Sequence, residues 1–99
     1  MKLPDDPFIL ELLPEFLDTW IEELNGQYLI LVQTKNEQDL YCMGHTIKGS
    51  CAQFGLEDVS KMGIELMGFA RAHEWDKALD IREKILKAIL EMKQFILSV

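Results

Sequence analysis

His45, Lys48 and Gly49 are spaced three and four residues apart, so in a helix the lysine and the glycine share the histidine's face one turn on. An imidazole titrates near neutrality when unperturbed, so at neutral pH it is substantially unprotonated and can attack an electrophile through its outer nitrogen. Phosphoryl transfer passes through a loose transition state in which positioning and charge stabilisation matter most. A fixed cation and open space around the attacking nitrogen are its main requirements, and Lys48 and Gly49 supply one each. Glycine inside a helix costs about 1 kcal/mol relative to alanine. An outward-facing Gly49 therefore implies that something approaches the helix there. Gly44 is a second helix-weakening glycine, nearer the inner face, where close packing of a neighbouring helix accounts for it.

A second chemistry is carried by Cys42-x-x-His45, whose spacing would let one helix present two metal ligands or an activated thiolate. His73 is the remaining obvious soft ligand, and it falls at an expected turn. Neither a second cysteine pair nor a fitting acidic motif is present, so a metal or thiol enzyme is the weaker reading. Cys42 and Cys51 lie nine positions apart in one helix, about 13 Å along its axis, too far for a disulfide. Both are expected as free thiols.

The elements that must hold these residues read as helices. Apolar residues recur at three and four positions, with breakers between the segments. Asp6 and Pro7 open a short first helix, and Pro14 opens a second carrying Phe16, Leu17, Trp20, Leu24 and Leu31 on one stripe, ending near Lys35-Asn36. Asn36 caps a third helix, with Asp39 in its first turn and Gly55 at its C-terminal cap. Leu40, Met43, Ile47, Cys51 and Phe54 form its buried stripe, and His45 falls nearly opposite. A fourth helix runs from Glu57 or Asp58 to near Ala72, a turn follows at His73-Glu74, and a last helix runs from Trp75 or Asp76 to Leu97. One short and four longer helices joined by short links suit an all-α antiparallel up-down-up-down four-helix bundle with a short N-terminal cap helix. The final helix is long enough to cover the whole bundle, or to extend beyond it into a dimer contact; the first is preferred, and a monomer is expected.

Ninety-nine residues allow one compact domain, residues 1–99, with a single site. A hydrophobic fraction of 48% supports a real core. A formal charge of -7 repels phosphate backbones and anionic lipid, which argues against nucleic acid and membrane surfaces as partners. The N-terminus has no charged-then-apolar leader, and the longest apolar run, Tyr28 to Val32, is far too short to span a bilayer. A cytoplasmic protein is the expectation, and the start at Met1 favours a stand-alone protein over a piece cut from a larger one.

The stretch His45-Thr46-Ile47-Lys48-Gly49-Ser50-Cys51-Ala52-Gln53-Phe54-Gly55-Leu56 closely resembles the phosphorylation motif of histidine-containing phosphotransfer domains, the four-helix modules of phosphorelays. The matched features are the histidine, an apolar residue two on, Lys-Gly, a small residue, and then Gly and an apolar residue ten and eleven positions after the histidine. About a dozen residues match as a motif, while helix order and size fit over most of the chain.

The resemblance implies that His45 is the phosphoacceptor, that Lys48 steadies the phosphoryl oxygens, that Gly49 gives steric access and that Gly55 ends the helix. Arg71 matches a position that is basic in some members. Met67 lies near a position where some members carry a polar residue that bonds the imidazole. The implied partners are response-regulator receiver domains and a sensor or hybrid histidine kinase, with Tyr41, Ala52 and Arg71 as contact residues. Magnesium is implied in the receiver and no cofactor in this chain, which has no Gly-rich phosphate loop. The module would carry phosphate without autonomous catalysis. The alternative is a docking module of similar fold that binds and inhibits a kinase or receiver without carrying phosphate.

Overall fold

The computed structural model describes residues 4–98, and no strand occurs among them. Five helices follow one another: α1 (Pro7–Asn25), α2 (Gln27–Gln33), α3 (Glu37–Gln53), α4 (Glu57–Arg71) and α5 (Trp75–Leu97). The chain is therefore all-helical.

The start of α1 follows the sequence: the Asp6 carboxylate accepts the Phe8 N–H at 2.9 Å, with Pro7 in the first turn. The expected division into a short cap helix and a second helix opened by Pro14 does not occur. Pro14 lies inside one continuous α1, on its exposed face, where water can reach the Leu10 carbonyl that its missing N–H leaves free. Leu13 and Leu17, both fully buried, hold the helix on either side of it. The break comes at Gly26 instead. The Leu24 carbonyl, which Tyr28 N–H would use in an unbroken helix, accepts the Arg82 Nε–H at 2.6 Å, and the Asn25 side chain accepts from Nη2 at 2.9 Å. The short α2 that follows buries Tyr28, whose hydroxyl donates to the Ala78 carbonyl at 2.6 Å.

Asn36 caps α3 as its type predicts, accepting the Asp39 N–H at 3.1 Å. At the other end Leu56 N–H reaches the Cys51 carbonyl at 2.8 Å and Gly55 N–H the Ala52 carbonyl at 3.1 Å, a Schellman motif with Gly55 at φ 79°. The same motif closes α2 at Lys35 and α4 at His73, where non-glycine residues take the left-handed conformation.

Packing is antiparallel in both pairs that set the architecture. Lys93 Nζ meets Asp18 at 2.6 Å while Arg82 meets Leu24, so α5 runs against α1. Arg71 meets Glu37 while Ser60 meets Lys48, so α4 runs against α3. Phe54, just after α3, stacks on Phe16 of α1 with centroids 3.9 Å apart. The buried side chains form one cluster drawn from all five helices. The 23 residues of α5 extend about 34 Å at 1.5 Å per residue, close to the 39 Å long axis of the molecule. No helix among the described residues is long and apolar enough to cross a membrane.

Candidate functional site

The seam between α3 and α4 is closed by two glycines. A Cβ placed on Gly44 would lie 2.9 Å from the Gly63 carbonyl, and one placed on Gly63 would lie 2.8 Å from both the Gly44 carbonyl and the Lys48 amide. Backbone therefore touches backbone, and the residues flanking Gly44 sit on a support with little freedom to move. Gly44 replaces Met43 and Phe54 at the centre of the buried stripe; those two are half-buried. A side-chain hydropathy pattern misses this, because glycine has no side chain to count.

His45 is exposed beside that contact, and so are Lys48, Gly49 and Ala52. Lys48 is anchored through its backbone: its carbonyl accepts the Ser60 hydroxyl at 2.7 Å, leaving the ammonium group to solvent. Among the described residues no side chain hydrogen-bonds the His45 ring, and Lys48 makes no ion pair. Gly49 has nothing within 4 Å of where a Cβ would be, so the opening expected there is present. Met67 packs over Gly44, its Cγ 3.0 Å from where a methyl group on that glycine would sit.

Glu37, Tyr41, His45 and Gly49 follow at intervals of four and make one row on α3. Tyr41 is half-buried, and the Arg71 guanidinium lies 4.0 Å above its ring centroid. Arg71 Nη1 also donates to Glu37 at 3.2 Å. The other Glu37 oxygen is bonded by His73 Nε2, and the His73 ring stacks on Trp75 at 5.6 Å between centroids. The Glu37 carboxyl is held below the ordinary carboxylate range, first by the bond from His73 and then by Arg71.

Tyr41 and Arg71 are thus brought together one turn from His45, and Ala52 lies on the same side of α3 at the opposite end. On α4, Ile64 and Gly68 follow Ser60 at intervals of four on the outer side of the seam. Ile64 is 49% exposed, and a Cβ added to Gly68 would have nothing within 4 Å. Sequence reasoning missed Glu37, Ile64 and Gly68, and weighed His73 only as a metal ligand at a turn. An exposed apolar residue and an exposed glycine inside one helix were the available signals for Ile64 and Gly68; nothing local announces that Glu37 and His73 meet across 36 residues.

His73 sits with Glu37 two turns along α3 from His45, so it does not join Cys42 and His45. No three side chains of His, Cys, Asp or Glu gather as a metal site among the described residues. Cys42 is exposed and Cys51 buried, both as free thiols. Comparison of the chain with protein-family models, with curated proteins and with solved structures finds no match.

Proposed function

We propose that this protein is a histidine phosphotransfer module of a phosphorelay, with His45 as the residue that carries the phosphoryl group. What supports this reading above all is an exposed, unpaired imidazole on a seam where backbone meets backbone, with Lys48 and an open Gly49 one turn away. A rigid base, a cation and an unobstructed approach are what a loose phosphoryl-transfer transition state requires of the accepting side. In this reading α1 with its continuation α2, α3, α4 and α5 form an up-down-up-down bundle, and His45 projects from the α3–α4 face.

The donor is a receiver-domain aspartyl phosphate or a histidine kinase. Taking the aspartyl phosphate, the acyl O–P bond breaks and leaves a carboxylate, while the lone pair of the outer imidazole nitrogen forms the N–P bond. The ring keeps the proton on its other nitrogen until solvent takes it. Lys48 balances charge on the phosphoryl oxygens, and Gly49, Gly68, Ala52 and Ile64 let a receiver seat itself closely around His45. The chemistry-bearing carboxylates and the magnesium belong to the receiver, so this chain is a carrier and not an enzyme.

The test is intact mass spectrometry after incubation with a phosphorylated receiver, with the wild type and His45→Gln side by side. The reading requires a gain of one phosphoryl group that is lost on brief acid treatment and absent from the variant. The absence of a side chain hydrogen-bonded to the His45 ring among the described residues favours a second reading, a docking module that occupies a receiver or kinase without relaying phosphate. In that case His45→Gln would retain full inhibition of the partner, and no adduct would form with competent donors.

A further inference from the structure

The arrangement around Arg71 is more specific than a surface ion pair, because the guanidinium is held on two sides. Tyr41 supports its face at 4.0 Å and Glu37 takes one of its N–H groups at 3.2 Å. Glu37 is held in turn from the far end of α4, where the His73 ring bonds its second oxygen and stacks on Trp75. His73 reaches that point because it occupies the left-handed position of the turn after α4, at φ 56°. Two cationic or hydrogen-bonding side chains from one turn thus converge on one carboxylate in the first turn of α3.

The consequence lies in the row Glu37, Tyr41, His45. Arg71 is parked over Tyr41 at its middle level, and along α3 Tyr41 and His45 are one turn apart, an axial rise of about 6 Å at 1.5 Å per residue. The guanidinium sits on a stem with several rotatable bonds, so rotamer changes move it along this row towards His45. A phosphoryl group on His45 would bring a charge approaching -2 and three acceptor oxygens to that turn, against the single charge of Glu37. Arginine's planar fork suits phosphate oxygens at least as well as a carboxylate, and an exposed ion pair is weak enough to be given up. Glu37 would not be stranded by the exchange, since His73 remains on it.

Resting on His45 as the phosphoryl carrier, we propose that Glu37 is a counter-ion latch: it parks Arg71 on Tyr41 while His45 is free and releases it to the phosphoryl group once His45 is modified. Glu37 is then a positioning residue acting through Arg71. The latch keeps the cation close to the site yet neutralised until there is a charge for it to meet.

Phosphoramidate serves as the probe because it needs no protein partner. The imidazole lone pair forms the N–P bond as the P–N bond of the N-protonated reagent breaks and ammonia leaves. The Arg71 side-chain N–H resonance, followed by 15N NMR, should shift in step with the His45 adduct and stay unmoved in His45→Gln before any adduct forms on His73, which itself holds Glu37. Glu37→Gln should speed adduct formation and lengthen phosphohistidine lifetime, by about two- to fivefold, the scale of one exposed ion pair. Arg71→Gln should shorten that lifetime, and adding Glu37→Gln to it should change nothing further, an outcome that a merely structural role for Glu37 would not give.

An Arg71 resonance that ignores phosphohistidine, or a Glu37→Gln effect that persists without Arg71, would overturn the latch alone. A His45 adduct from phosphoramidate with the expected Arg71 shift, but none from any receiver or kinase, would keep the latch and overturn the relay. No His45 adduct from either source would overturn both.

Discussion

Gly44 and Gly63 face each other across the α3–α4 seam so closely that neither can carry a methyl group without meeting the other's carbonyl oxygen at less than 3.0 Å. That contact sets the separation of the two helices, and with it the platform from which His45 projects.

Gly44→Ala and Gly63→Ala should therefore both destabilise the protein, although alanine is the better helix former at either position. The intrinsic gain of about 1 kcal/mol is outweighed by forcing two backbones apart in a packed seam, where overpacking typically costs about 1–3 kcal/mol. Gly63→Ala should be the worse, because its methyl also meets the Lys48 amide at 2.8 Å and the Ile47 side chain at 3.0 Å. Chemical denaturation of the two variants and the wild type checks this; equal or raised midpoints would mean that the seam opens freely.

Gly49→Ala should act in the opposite sense on stability. Its position is helical and open, with no atom near the added methyl, so stability should rise by about 0.5–1 kcal/mol. If His45 is a phosphoacceptor approached closely by a receiver, the same variant should slow transfer from that receiver while leaving reaction with a small donor unchanged. A variant that is stabilised and transfers at full speed would remove Gly49 from the site.

The glycines of α3 show how much of the molecule is legible in its sequence. Asn36, Asp39 and Gly55 mark the ends of α3 because capping is a local matter, settled by residues within four positions of one another. His45, Lys48 and Gly49 are legible as an outward face because a helix fixes their angles. The breaks around α1 are not: Pro14 reads as a start signal, yet burial of Leu13 and Leu17 carries the helix through it, and Arg82, 58 residues from Leu24, supplies the bond that favours a break at Gly26. Tertiary contacts decide both points. The same holds for Glu37 and His73, whose pairing depends on α4 running back along α3.

The two thiols should differ sharply in reactivity. Burial pushes the Cys51 thiol up to about 12, so it has almost no thiolate at neutral pH and no exposed surface. Cys42 is exposed. A thiol reagent should titrate one cysteine promptly in the native protein and the second only on unfolding. Because Cys42 precedes His45 by three residues and flanks its face, a bulky adduct there should slow phosphoryl transfer from a receiver. Fast reaction of both thiols in the native protein would contradict the packing of α3 on the core.

Acid should remove the Glu37 contribution to stability in a defined direction. The folded carboxyl titrates below its ordinary value of 4.5, chiefly through the bond from His73. Between the two values the unfolded chain binds more protons than the folded one, so stability from this group increases with pH across that window. It is fully present above the ordinary value and is lost as pH falls through the folded one. Thermal melts of the wild type and Glu37→Gln should therefore differ just above pH 4.5 and converge as the pH falls below it. Since both Glu37 and Arg71 reach solvent, raised salt should narrow the gap in the same way, by screening the pair. A difference between the two proteins that survives at pH values well below 4.5 would mean that Glu37 acts through its packing and not through its charge, and would take the electrostatic hold on Arg71 away with it.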